Sequence, residues 1–161
     1  QAVPIFNGLD NDTRVFSIED GGQHNFTSDA TRSQHSGTKT LTEGAATSIV
    51  TVGVPSNSAV GFIVEWTVQA NDATDYQSRC GSTYVACVNK AGTLTAVVSD
   101  IGTSAFAESA GASTLTVATT ATTATNDVSF QLNATSSLTQ TTLSATYFIR
   151  KMRGLGNITP L

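Results

Sequence analysis

Charge is what this chain has least of. Only 12% of its residues are Asp, Glu, Lys or Arg, against about 25% in ordinary globular domains. The formal net charge is −4, and no basic run exceeds the short Arg150-Lys151-Met152-Arg153 cluster. The electrostatic footprint of a nucleic-acid binder is therefore missing. Long apolar runs are absent too, and the first thirty residues lack the basic-then-apolar pattern of a secretory signal, so no membrane segment is expected. The chain begins with Gln1, which would fit a removed leader, a pro-segment or a larger parent. Cysteine is limited to Cys80 and Cys87, a spacing that matches no zinc or redox motif, and nothing else in the pattern asks for a metal or a cofactor. A disulfide between these two stays an open alternative. A reversal at Gly81-Ser82-Thr83 would bring them together, whereas on one continuous strand their odd separation places them on opposite faces.

Hydroxyls take the place of charge. Ser and Thr make up roughly a quarter of the residues, a surface chemistry insensitive to salt and pH that suits a particle or secreted protein. The apolar content of 39% over 161 residues is enough for one core.

The pattern divides the chain at about residue 37. Residues 1–36 scatter single apolar residues among Asp, Asn, Gly and Gln and predict an extended N-terminal arm with one short strand near Arg14–Ile18. From Gly37 to Met152 short β-prone runs alternate with turn residues, the pattern of an all-β antiparallel sandwich of jelly-roll-like form. Residues 153–161 read as a tail. The clearest strand is Ser58 to Gln69, where Val60, Phe62, Val64, Trp66 and Val68 share one face. Further strands are expected over Thr47–Val54, Tyr76–Val88 with a bend at Gly81, Thr93–Ser99, Ser113–Thr119, Val128–Asn133 and Thr141–Met152. Asn89-Lys90-Ala91-Gly92 marks a hairpin. Asp100–Gly111 reads as irregular. The Thr and Ala tract Thr119–Asn126 is not decided between strand and loop, although its β-branched residues argue against helix.

Catalytic candidates are sparse. His24 and His35 lie in the polar arm without a nucleophile nearby and read as surface residues. Glu65 is on the outward face of its strand, and Asp72 and Asp75 flank a turn, so the facing acid pair of a glycosidase has no candidate. An enzyme is not expected. Asp10-Asn11-Asp12, or Asp72 with Asp75, lack the spaced ligand set of a calcium loop. Sequons begin at Asn11, Asn25, Asn133 and Asn157. Trp66 reads as core, while Tyr76 and Tyr84 are the candidates for a ligand-stacking surface.

Four segments carry a resemblance: Gly37-Thr38-Lys39-Thr40-Leu41-Thr42-Glu43, Asp75-Tyr76-Gln77-Ser78-Arg79, Val88-Asn89-Lys90-Ala91-Gly92-Thr93, and Asn133-Ala134-Thr135-Ser136-Ser137-Leu138-Thr139-Gln140-Thr141-Thr142-Leu143. In this order they resemble a β-rich domain of virion proteins of tailed bacteriophages, over Gly37 to about Arg150. The resemblance implies a component of the particle surface: a decoration protein, a head fibre or a tail-fibre module. It also implies partners among other virion proteins and a homo-oligomer, with a trimer favoured. A host-surface glycan, met at Tyr76 or Tyr84, is the alternative partner. Cys80 and Cys87 depart from that family pattern, and residues 1–36 fall outside the resemblance.

Overall fold

The computed structural model describes residues 4–10, 13–19, 24–25, 33–109, 114–139, 142–153 and 158–160, with side chains over 34–109, 114–139 and 142–150. Every element in these stretches is a strand: β1 (Pro4–Asp10), β2 (Thr13–Glu19), β3 (His24–Asn25), β4 (Ser33–Thr40), β5 (Ala46–Gly53), β6 (Ser58–Asn71), β7 (Tyr76–Lys90), β8 (Thr93–Asp100), β9 (Ala105–Glu108), β10 (Leu115–Ala124), β11 (Asp127–Ser136), β12 (Thr142–Arg153) and β13 (Ile158–Pro160). A nine-stranded sheet runs β1-β2-β3-β4-β12-β6-β7-β8, with β9 also on β7, and a four-stranded sheet runs β10-β11-β5-β13. All pairings are antiparallel.

The topology is that of a rolled ribbon. Consecutive strands β4 and β5 pair with consecutive strands β12 and β11, one pairing in each sheet, which is how a jelly-roll-like chain closes both layers at once. Where the ribbon passes between sheets, the Leu41 amide donates to the Leu143 carbonyl at 2.9 Å and the Gly44 amide to the Ala134 carbonyl at 2.9 Å. These bonds keep the crossing backbone satisfied.

Alternation produces the core. On β6 the inward residues Val60, Phe62, Val64, Trp66, Val68 and Ala70 are all buried, and they share one apolar cluster with Val50 and Val52 of β5, Phe130 and Leu132 of β11, and Leu143, Ala145, Tyr147 and Ile149 of β12. Each large side chain so buried contributes about 1.5–3 kcal/mol. The hairpin at Ala91-Gly92 is present, with both residues at positive φ, 53° and 85°, the primed turn whose twist matches the flanking strands.

The structure corrects several sequence-based expectations. The boundary at Gly37 falls inside β4, because His35 faces inward beside Tyr147 and is buried. The backbone of β1, β2 and β3 continues the large sheet outward from β4. Within 153–161, Ile158–Pro160 returns as an edge strand on β5. Strand β7 is not bent at Gly81 but pairs with β6 without interruption from Tyr76 to Asn89. The stretch read as irregular contains β9, and the Thr and Ala tract stays extended to Ala124 before turning at Thr125, whose φ is 44°. Asp20, Asn11, Asp12, Ser113, Thr141 and Asn157 lie outside the described residues.

Candidate functional site

Strand β7 organises the polar chemistry of the molecule. Its odd-numbered residues face the second sheet and alternate between apolar groups, Val85 and Cys87, and polar groups that tie the layers together. At one end, the Ser136 hydroxyl donates to Gln77 Oε1 at 2.7 Å, and Gln77 Nε2 donates to Ser137 Oγ at 3.3 Å. At the other end, Asn89 Nδ2 donates to the Val54 carbonyl at 2.7 Å and to Asn126 Oδ1 at 2.8 Å, while Asn89 Oδ1 accepts from the Gly92 amide at 3.0 Å. Between them, Thr83 Oγ1 accepts from the indole of Trp66 at 3.1 Å and donates to Asp100 Oδ1 at 2.7 Å, which also accepts from Thr119 at 2.8 Å. Arg79 donates from Nε to the Leu115 carbonyl at 2.6 Å and from Nη1 to Ser104 at 2.8 Å, its guanidinium lying 5.1 Å from the Phe106 ring centroid. The buried polar groups of β7 thus find partners, as burial requires.

The even-numbered residues of β7 face outward, and both candidate tyrosines are among them. Tyr76 is 62% exposed and Tyr84 45%. They share a face but stand eight residues apart, about 26 Å along an extended strand, so they do not form one stacking platform. Tyr76 adjoins an open depression of about 410 Å³ lined by Gln69, Asn71, Ser78, Glu108 and Ser109. Tyr84 belongs to an apolar strip. It pairs with Ile63, Ala86 pairs with Gly61 and Val97, and Val88 pairs with Ala59, with Val88 54% and Val97 64% exposed. A second depression, of about 380 Å³, lies next to this strip between Glu65, Thr67, Cys80, Ser82, Thr146 and Phe148. Sequence parity could have found this strip, since Tyr84, Ala86 and Val88 alternate with the core residues of the same strand.

The carboxylates have local roles. Asp72 Oδ1 accepts from the backbone amides of Thr74 and Asp75, each at 2.8 Å, and these bonds, Thr74 first, hold its carboxyl below the ordinary value. Asp75 Oδ1 accepts from Ser109 at 3.3 Å, and Ser109 Oγ accepts from the Tyr76 amide at 2.8 Å. The pair therefore closes the β6–β7 turn and docks it to the end of β9. Glu65 meets Arg150 at 3.7 Å on the outer face, both about half exposed. Among the described residues, no three His, Cys, Asp or Glu side chains come together as a metal site.

His35 is corrected from a surface residue to a buried one, 3% exposed, with its ring 5.9 Å from that of Tyr147. Its Nδ1 has no hydrogen-bond partner, and burial pushes its pKa down. The backbone of His24 lies in β3, and its side chain is outside those described. The disulfide alternative is corrected too: Cys80 and Cys87 are free, one exposed and one buried. Six residues of unbroken β7 lie between them, a separation of about 23 Å along an extended strand, where a bridge tolerates at most about 7 Å between Cα atoms. Burial raises the Cys87 thiol to about 11.

No protein-family model matches the chain, and no curated protein sequence does either. Among solved structures, the tailspike protein of Acinetobacter baumannii phage AM24 is similar at a TM-score of 0.44 and 12% identity, over 80% of this chain and 29% of the tailspike.

Proposed function

We propose that this chain is a structural subunit of the surface of a tailed-phage particle, of decoration or fibre type, which acts by assembling with other virion subunits and not by catalysis. The setting comes from the resemblance carried by residues 37–150. The observation that supports the role is how side chains are divided between the two faces of β7. Gln77, Arg79 and Asn89 are spent on joining the large sheet to the smaller sheet and its turns, and Thr83 positions Asp100, which accepts from Thr119 of β10. The outer face then carries hydroxyls and the exposed apolar strip Tyr84, Ala86, Val88 and Val97, which covers the buried Ile63 of β6. An exposed apolar strip bordered by polar groups favours protein contact, and the carboxylates engaged in turns and sheet ties favour a structural role for the polar residues.

The test is made on purified particles. Peptides of this chain are expected in intact virions at a fixed ratio to the major capsid or tail protein, and antibodies to it should decorate unbroken particles. Absence from purified virions would overturn the reading. A second reading, a glycan-recognition module, is favoured by one observation: Tyr76 stands at an open depression whose lining includes Gln69, Asn71, Ser78, Glu108 and Ser109, an aromatic beside amides and hydroxyls. Binding of the full chain to a host-surface glycan array, lost in Tyr76→Ala, would favour that reading.

A further inference from the structure

Four strand edges bound the two sheets, and three of them carry features that discourage pairing. Strand β1 has register shifts between Pro4 and Phe6 and between Gly8 and Leu9, begins with Pro4 and ends with Asp10. The β8–β9 edge is broken where Ile101 to Ser104 loop out between the Thr83–Asp100 and Cys80–Ala105 pairs, with Gly102 at φ 67°, and it carries Asp100 and Glu108. Strand β13 has three residues, one of them Pro160. Bulges, prolines, charges and shortness are the usual protections of an open edge.

Strand β10 has none of them. It runs ten residues, Leu115 to Ala124, without proline, glycine or charge, and it pairs with β11 at every residue without a register shift. Among the described residues, no strand pairs along its other side. Thr116, Ala118, Thr120 and Thr122 are exposed, and Val117, Thr119 and Ala121 are half-covered by the large sheet. The Leu115 carbonyl at its start is taken by Arg79; beyond it, the edge from Val117 to Thr123 is open to an incoming strand.

Its sequence indicates which strand. Residues 118–124 read Ala-Thr-Thr-Ala-Thr-Thr-Ala in both directions. If two copies of β10 pair antiparallel about Ala121, Thr120 of one lies opposite Thr122 of the other, Thr119 opposite Thr123, and Ala118 opposite Ala124. Every pair in this stretch is then Thr with Thr or Ala with Ala, on matching faces, and Thr–Thr cross-strand pairs are among the favourable ones. A two-fold axis through Ala121 is the symmetry that such a self-complementary edge requires.

We infer that β10 is a self-pairing edge through which two copies of this chain join their smaller sheets into one continuous sheet, in a two-fold dimer centred on Ala121. The inference rests on the assembly reading only for its biological setting, since the pairing is measured on the isolated 161-residue chain.

Sedimentation equilibrium of the full chain is expected to give a dimer or an even multiple of it. In Thr120→Lys/Thr122→Lys, like charges face each other at both symmetry-related positions, and the dimer dissociation constant should rise at least about tenfold. In Thr120→Lys/Thr122→Glu, the same positions carry opposite charges, and dimerisation should be retained. Both threonines are exposed and outward, and circular dichroism checks that each variant is folded. A monomeric or trimeric wild type, or equal dimer strength in the two variants, would overturn the inference. Absence from virions would overturn the proposed function and leave this result standing.

Discussion

The indole of Trp66 fills the space that a side chain at Gly81 would occupy: a Cβ at Gly81 would sit 2.5 Å from Trp66 Cζ2. The two residues are direct cross-strand partners. The same relationship recurs on the same face two strands along, where a Cβ at Gly37 would sit 2.7 Å from the Tyr147 hydroxyl and Gly37 pairs with Tyr147. Since Tyr147 and Trp66 are themselves paired, one row across four strands reads Gly37, Tyr147, Trp66, Gly81. The aromatics lean away from each other, each over a glycine.

Gly81→Ala is therefore expected to destabilise the fold by about 1–3 kcal/mol, the cost of overpacking a filled site. An ordinary strand glycine behaves the opposite way, because alanine restricts the unfolded chain and gains about 0.4–1 kcal/mol where the native conformation accepts it. Gly61 supplies the control, since nothing lies within 4 Å of a Cβ there. Urea unfolding should place the midpoint of Gly81→Ala below wild type and that of Gly61→Ala at or above it. Equal midpoints for the two variants would remove the packing argument.

The two cysteines should differ sharply in reactivity. Cys80 is exposed on the outer face of β7, whereas Cys87 is buried in the core and its thiol is raised to about 11. The thiolate is the reacting species, and both burial and the raised value withhold it. A thiol reagent at mildly alkaline pH should modify one cysteine per folded chain, identified as Cys80 by peptide mapping. Both should react after unfolding without reductant. If neither reacts after unfolding, a bridge exists and the strand assignment of β7 is wrong.

Much of the sandwich was legible because period two is a side-chain signal. Val60, Phe62, Val64, Trp66 and Val68 announced both a strand and its buried face, and the Asn89–Gly92 hairpin announced its own turn. Strand β9 was not legible, because Ala105–Glu108 has only Phe106 to mark it and is held extended by pairing with the edge of β7. Within 1–36 the short strand expected near Arg14–Ile18 is present as β2, whereas β1 and β3 escaped for a similar reason: sheet extension is carried by backbone groups, which need leave no apolar alternation. Gly81 read as a bend because a sequence does not show that an indole from the neighbouring strand covers it. For the candidate site, parity put Tyr76 and Tyr84 on one face, but only the unbroken length of β7 separates them into two different surroundings.

His35 sets a pH dependence whose sign follows from its burial. Its native pKa is lowered by desolvation from an ordinary value of 6.5, and Nδ1 has no partner that would stabilise the charged form. Between the ordinary value and the lower native one, the unfolded chain binds more protons than the folded one, so stability falls as pH falls. The contribution of neutral His35 is complete above the unfolded value and is lost as pH drops through the native value, at about 1.4 kcal/mol for each unit separating the two. Asp72 has a depressed native value as well, but as a carboxylate it titrates below the histidine window. His35→Leu places an apolar side chain against Tyr147 and removes the titration. Urea midpoints measured from about pH 8 to about pH 5 should decline for wild type and stay nearly level for His35→Leu. Parallel declines in the two proteins would show that His35 is not the group responsible.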